Sequence, residues 1–202
     1  YETSGGLHGV GISVVNALSE SLEVEVYRDK NIYFQKYSRG IPDSKIKKLE
    51  QKTNKKGTKI SFKPDEDIFD KNVQFNIEKL YNFCKSKAYL FAGIEVRWSC
   101  NELIANENNI PSSDVFNFSK GLEDFLSNEV KDSSFIAREC FSGKKNKDSK
   151  NNSIEWAVNW SISSDGFLNS YCNTVPTPDG GTHELGLKNG LLKALRSHSE
   201  RI

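Results

Sequence analysis

Residues Gly5 to Gly11, GGLHGVG, put four glycines in seven positions. Glycine weakens a helix or strand by roughly 0.5–1 kcal/mol relative to alanine, so its use here is a left-handed backbone or close approach of the backbone to another group. In the residues that follow, Val10, Val14, Ala17 and Leu18 fall at helical spacing, which predicts a helix over Ile12 to Glu20 that opens at about Gly11. A glycine-rich loop running into a helix start offers unpaired N–H groups and the positive end of the helix dipole. That is the chemistry of an anion site, and phosphate is the usual anion. His8 lies between these glycines, where an imidazole could touch a phosphate as donor or partial cation. The residues alone leave two readings open: a phosphate loop, or a surface turn entering a core helix.

Two familiar phosphate loops do not fit. A Walker loop ends in Gly-Lys-Ser/Thr, whereas Gly11 is followed by Ile12 and Ser13. The dinucleotide fingerprint needs a preceding strand and Gly-x-Gly-x-x-Gly spacing; the order here is Gly6-x-x-Gly9-x-Gly11 after Tyr1-Glu2-Thr3-Ser4. Among the other reactive residues, Thr58 shares a strand face with Ile60 and Phe62, and a hydroxyl on an inward face needs a partner. Cysteines 84, 100, 140 and 172 form no Cys-x-x-Cys and no Cys/His cluster, so they read as reduced core thiols. Trp156 and Trp160 share a face with Ile154, Val158 and Ile162 and read as core rather than as base-stacking platforms. His183 reads as a capping or packing residue and His198 as surface. Lys45 to Lys56 is lysine-rich with no interleaved aromatic residue, which suits a solvated loop or edge better than a nucleic-acid patch.

These residues need elements to position them. After the first helix, Leu22, Val24 and Val26 alternate with polar residues, Asp29-Lys30-Asn31 turns the chain, and Ile32 to Tyr37 returns: a hairpin with one buried face. Gly57 to Lys63 is a strand closed by Pro64, and Asp65 to Asp70 a turn. Ile77, Leu80, Cys84, Ala88 and Phe91 mark a long helix stopped by Gly93. Ile94 to Cys100 is a strand that turns at Asn101-Glu102 and returns through Leu103-Ile104. A polar loop over Asn106 to Asp114 precedes a short helix with Leu122, Phe125, Leu126 and Val130. The order to this point suits an α/β layer fold, and a change of domain is expected near Lys131. Beyond it, Phe135 to Phe141 reads as a strand, and Lys144 to Ser153 as a disordered hairpin tip. Ile154 to Ile162 is a strand with a turn at Ser164-Asp165-Gly166 and a partner in Phe167 to Val175. Thr182 is the expected N-cap of a last helix with Leu187, Leu191 and Leu195 on one face.

The chain has 202 residues, enough for one large or two small domains. It has no methionine, starts at Tyr1 and ends at Arg201-Ile202 inside a helical pattern, which reads as a piece of a longer protein. The net charge of +1 gives no global basic field, so nucleic-acid binding does not follow from charge. No run approaches the roughly 18 apolar residues of a membrane span.

The whole string YETSGGLHGVGISVVNALS is far more specific than its glycines. It resembles the ATP-lid segment of the B subunits of bacterial type IIA topoisomerases. His8 separates it from other ATPases of that fold, which carry other residues between the lid glycines. SYCNTVPTPDGGTHELGLKNGLLKALR, Ser170 to Arg196, resembles the second domain of the same subunits. Its Asn173–Thr177 and Gly186–Leu192 wording, like SKAYLFAGIEVRW from Ser86 to Trp98, is nearer the topoisomerase IV branch than the gyrase branch. The resemblance covers nearly the whole chain and is weakest over 144–153.

This resemblance implies an α+β fold. Residues 1–130 would be the C-terminal part of a Bergerat-type (GHKL) ATPase α/β sandwich with its ATP lid. Residues 131–202 would begin a transducer domain of left-handed βαβ type. Carried over by motif position, Tyr1 contacts adenine, Gly6, Leu7, His8, Gly9, Val10, Gly11 and Ile12 wrap the triphosphate, and Thr58 faces the base. ATP and Mg2+ are the implied cofactors. The family's catalytic glutamate and magnesium-binding asparagine lie upstream of Tyr1, and its γ-phosphate lysine beyond Ile202. No catalytic residue and no metal ligand is therefore assigned within this stretch, which alone is expected to be inactive. The resemblance further implies an ATP-dependent type II topoisomerase, with a dimer of B subunits formed on ATP binding, an A2B2 assembly with the topoisomerase A subunit, and capture of double-stranded DNA. It implies a cytoplasmic, nucleoid-associated location and no membrane. The alternatives are gyrase B and a non-catalytic nucleotide-sensing module; a plain DNA-binding domain has little support at this charge.

Overall fold

The computed structural model describes residues 9–72, 74–130, 136–137, 139–145, 152–162 and 166–202. The chain divides into two compact units, Tyr1–Gln74 and Phe75–Ile202. The expected domain change near Lys131 falls outside the described residues, as do Phe135, the residues 146–151 of the expected hairpin tip, and Ser164-Asp165 of an expected turn.

The first unit is one helix on an antiparallel sheet. Helix α1 spans Gly11–Ala17, three residues shorter than its periodicity predicts, because Ser19 already belongs to strand β1 (Ser19–Arg28). The apolar stripe is expected to face a core, yet Val10, Ile12 and Val14 are about half exposed; Val15, Asn16 and Leu18 supply the half-buried side. β1 pairs with β2 (Asn31–Ser38) across a two-residue turn. Asp29 (φ 53°) and Lys30 (φ 62°) are both left-handed, the turn whose twist matches paired strands. β3 (Ile41–Pro42) and β4 (Lys47–Leu49) both pair with β2, and β5 (Gly57–Pro64) pairs with the other edge of β1. The lysine-rich stretch thus contributes a short charged edge strand, a device that discourages further strand pairing. Leu22, Val24 and Val26 stand opposite Tyr37, Gln35 and Tyr33 on one side and Phe62, Ile60 and Thr58 on the other. Only Leu22 of these is fully buried, while Ile60 and Phe62 stay largely exposed, so the expected buried face is closed only at one end.

The second unit is built on helix α2 (Ile77–Leu90), whose N-cap Asn76 accepts a bond from the Lys79 N–H at 2.8 Å. Gly93 (φ 85°) turns the chain after it and donates to the Phe118 carbonyl at 3.2 Å. Strand β6 (Glu95–Ser99) pairs antiparallel with β7 (Ser113–Asn117), and helix α3 (Glu102–Glu107) joins them. The expected return strand through Leu103-Ile104 is therefore a helix. Asn101 caps it by accepting from the Leu103 N–H at 2.9 Å, and side-chain capping outcompetes the local strand preference of these residues. The core is Ala88 and Tyr89 of α2 with Phe116 and Phe118.

Helix α4 (Leu122–Glu129) follows, then β8 (Phe141–Lys145) paired with β9 (Ile154–Val158). The strand expected over Phe135–Phe141 thus begins at the residue where it should end, and Lys144 and Lys145 belong to it. β9 finds its partner before it in sequence, not after: residues 166–170 form no regular structure, and β10 (Tyr171–Cys172) pairs only with β11 (Val175–Pro176). Trp156 is half-buried, packs beside Phe141, and lies against Gly143, where a Cβ would sit 2.4 Å from its ring. Ile154 and Ile162 remain exposed, so the alternation there marks a partly covered face. Helix α5 (Thr182–Ser199) closes the chain. Its N-cap is Gly181, with no side-chain cap bond, and Thr182 is the first helical residue. Antiparallel ladders with separate helices make the fold α+β.

Candidate functional site

The glycine-rich run reaches the described structure at Gly9; Tyr1, Gly6, Leu7 and His8 lie outside it. Gly9 is left-handed at φ 66°, with nothing within 4 Å of a built Cβ, so conformation rather than crowding requires glycine there. Val10 is the N-cap and makes no side-chain cap. Among the described residues the first bond of the helix runs from the Val14 N–H to the Val10 carbonyl at 2.9 Å, and the first-turn N–H groups of a helix have no carbonyl within the helix itself to pair with. No acidic residue occupies the first turn. Gly11 has neither a left-handed φ nor any atom within 4 Å of a built Cβ, so the folded chain itself does not demand glycine at that position.

The other end of α1 is tightly tied. The Ser19 hydroxyl donates to the Val15 carbonyl at 2.6 Å, and the Asn16 amide reaches the Gly40 carbonyl at 3.5 Å. Gly40 is left-handed (φ 83°) and so close that a Cβ would sit 3.3 Å from the Ala17 Cα. The Asp65 N–H donates to the Leu18 carbonyl at 3.1 Å, and its buried carboxylate takes the Arg39 guanidinium through Nε at 2.7 Å and Nη2 at 3.1 Å. Arg39 also pairs with Asp67. Thr58 stands near the start of β5, exposed, opposite Val26; the inward face that would demand a partner for its hydroxyl is open there. Sequence reasoning misses the Arg39–Asp65 pair. Its signals are faint: Arg-Gly in a tight turn, and a Pro-Asp pair where a strand stops.

The second unit holds a polar cluster around the start of α5. Ser170 Oγ lies 2.7 Å from Thr177 Oγ1 and donates to Glu184 at 3.2 Å, while Thr177 Oγ1 is 3.3 Å from His183 Nε2. Lys188 pairs with Glu184 at 2.6 Å, and this bond leads in holding the Glu184 carboxyl below its ordinary range. His183 touches Thr177, not Ser170, so no nucleophile–base–orienter chain is assembled. The His183 contact is a hydrogen bond to a loop side chain at an exposed position, rather than the capping or packing contact expected for it. Beside it lies a cavity of about 480 Å³ that includes Ser170, Thr177 and Glu184. A second cavity, about 420 Å³, is walled by Phe83, Tyr89, Phe125 and Tyr171. The Tyr89 and Tyr171 hydroxyls are hydrogen-bonded, and burial first, then this bond, pushes the Tyr89 hydroxyl up. The thiols of Cys84, Cys100, Cys140 and Cys172 are all free; Cys172 is exposed, against the core reading. Burial raises the Cys84 and Cys140 thiols. Among the described residues, no cluster of three or more His, Cys, Asp or Glu could hold a metal ion, and no helix is long and apolar enough to cross a membrane.

Known proteins put this geometry in context. Two solved structures share the fold. One is the 43K ATPase domain of Thermus thermophilus gyrase B, solved with an aminocoumarin; it has 27% identity and a TM-score of 0.78, covering 96% of this chain and 50% of that one. The other is the topoisomerase IV ATP-binding domain of Francisella tularensis, solved with a small-molecule inhibitor; it has 32% identity and a TM-score of 0.69, covering 98% and 52%. The fold is thus that of the GHKL ATPase regions of these enzymes. The DNA gyrase B family model matches residues 121–201. Across the whole chain the sequence is 49% identical to the B subunit of DNA topoisomerase 4 from Bartonella bacilliformis, and across 99% of it 45% identical to the same subunit from Caulobacter vibrioides. Along its whole length the chain is similar to the B subunits of bacterial type IIA topoisomerases. It spans 29% of the length of these two relatives.

Proposed function

We propose that this chain is the nucleotide-loop region of the ATPase subunit of topoisomerase IV, an ATP-driven enzyme that unlinks and relaxes DNA. The observation that carries the reading is the match along the whole chain to the B subunits of DNA topoisomerase 4, with the glycine-rich run entering α1 at Gly11. Tyr1 contacts the adenine, Gly6 to Ile12 wrap the triphosphate, and Thr58 faces the base. The start of α1 at Gly11, with no acidic residue in its first turn, fits a phosphate chemically. Bound ATP supplies the free energy that draws two B subunits together; this chain's part is to bind and orient it through fixed donors. Mg2+, the catalytic base and the γ-phosphate lysine belong to stretches outside these residues. The domain change lies near Lys131, with ATPase residues 1–130 and transducer residues 131–202. The assembly is A2B2 with the topoisomerase A subunit, acts on double-stranded DNA, and works in the cytoplasm at the nucleoid.

The deciding experiment uses the full-length protein with its A subunit, ATP and circular DNA. Decatenation without negative supercoiling is the expected result. Introduction of negative supercoils would reassign the chain to gyrase B. Absence of both, with ATP bound but not hydrolysed, would leave a nucleotide-sensing module.

A further inference from the structure

We propose that Arg39 and Asp65 are positioning residues for the nucleotide step: their ion pair fixes the C-terminal end of α1 and so sets where its N-terminal donors point. The inference rests on the nucleotide reading of the loop given above. α1 is short and its Val10, Ile12 and Val14 side chains are about half exposed, so its own apolar contacts hold it weakly. Among the described residues, what holds it is gathered at one end. The Asp65 N–H grips the Leu18 carbonyl, the Ser19 hydroxyl grips Val15, and the Gly40 turn lies in contact with Ala17. Arg39 joins the two chain segments that make these contacts. It is left-handed at φ 50°, immediately before Gly40, and its guanidinium crosses to Asp65 with two bonds. Asp65 is 3% exposed, and its carboxylate also accepts from the Asp67 N–H at 3.0 Å. A bidentate arginine–carboxylate pair fixes orientation as well as distance. A buried carboxylate deprived of its cation is costly, so the two segments move together or not at all.

The test uses the full-length protein and two variants. Asp65→Asn keeps shape and the acceptor for the Asp67 N–H but removes the charge; Arg39→Gln removes the cation from a side chain that is 57% exposed, and so tests the pair even if the first variant fails to fold. Amide exchange over residues 14–18 is expected to quicken about tenfold in either variant. KM for ATP is expected to rise at least about threefold with kcat within about twofold, and Arg39→Lys, which keeps the charge but not the two-pronged contact, is expected to restore only part of the change. Wild-type exchange and wild-type KM in both variants would overturn the proposal while leaving the nucleotide reading intact. Faster exchange with unchanged KM would also overturn it, by reducing the pair to a structural brace. A wild-type protein that binds no ATP at all would fell the nucleotide reading first, and the positioning role with it.

Discussion

The sheet of the first unit and the aromatic cluster of the second hold together by different means. The sheet has long, regular strands, eight cross-strand positions in register between β1 and β2, and little that is sealed from water. Among the described residues of the first unit the buried side chains are Leu22, Ile32, Ser19 and, just after β5, Asp65, two of them polar. The second unit has short ladders of two to five residues, yet gathers Tyr89, Phe116 and Phe118 around Ala88. Tyr89 stacks on Phe125 at 3.9 Å and meets Phe118 edge-on at 6.1 Å. Backbone pairing gives the first its order; ring packing gives the second its cohesion. The candidate nucleotide loop belongs to the first, where an ion pair and a handful of hydrogen bonds do what packing does elsewhere.

The sharpest way to break this contrast is Phe118→Ala. Phe118 is 6% exposed and touches two other rings, so its loss should cost about 3–5 kcal/mol. Urea unfolding of the full-length protein, read by exchange at Ala88 and Tyr89, checks it. Leu22→Ala should cost less, about 2–3 kcal/mol, although Leu22 is only 2% exposed. Its cross-strand neighbour Phe62 is half exposed and can relax into the gap, and a site that collapses loses less to its cavity. Exchange at residues 22–26 reads that loss. Equal losses at Phe118 and Leu22 would mean that the two units are stabilised alike.

Tyr81→Phe is a smaller effect with a pH signature. The Tyr81 hydroxyl donates to Asp114 at 2.6 Å. Burial first, then this bond, pushes its pKa up to about 12. The folded state therefore holds this proton more tightly than the unfolded one. That stability is full below about pH 10 and drains away as pH rises through the folded value. The variant should lose about 1 kcal/mol at neutral pH and show a flatter stability curve between about pH 10 and 12. Urea midpoints at pH 7, 10 and 11 measure both.

What is legible in the sequence follows the same division. The hairpin, β5, α2, β6, α4 and α5 are written in local periodicity and turn residues, and the structure has them all. α3 escapes that reading because Asn101 works as a cap through its side chain, which an alternation pattern ignores. β7 (Ser113–Asn117) straddles the end of the stretch that reads as a polar loop, Asn106 to Asp114, and the residues after it carry too short a pattern to be assigned an element, so Phe116 and Phe118, the centre of the core, go unplaced. β9 draws the wrong expected partner because pairing is a tertiary choice, and the hairpin rule favours whatever follows a turn. At the candidate site the helix start at Gly11 can be read from its glycines. The anchor behind it cannot, since Arg39 and Asp65 are 26 residues apart and nothing local announces that they meet.

The smallest expected effect is at Lys59. Its ammonium lies 3.0 Å from Glu25, directly across the β1–β5 pairing, with side chains 59% and 24% exposed. The Glu25 carboxyl is held below its ordinary range, first by the Tyr27 hydroxyl and then by Lys59. A depressed carboxyl contributes stability above its unfolded pKa and loses it as pH falls through the folded value. Lys59 is exposed, however, and exposed pairs lose most of their Coulomb gain to side-chain ordering and solvent screening. Lys59→Ala should therefore leave the urea midpoint at pH 7 where it is, whereas Tyr27→Phe should move the Glu25 titration upward by more than Lys59→Ala does, as followed by NMR of the carboxyl carbon. A clear loss of stability in Lys59→Ala would mean that cross-strand charges, rather than the backbone ladder, hold β5 to β1. The sheet would then owe its order to side chains after all, and its contrast with the aromatic unit would shrink to a difference in which side chains are used.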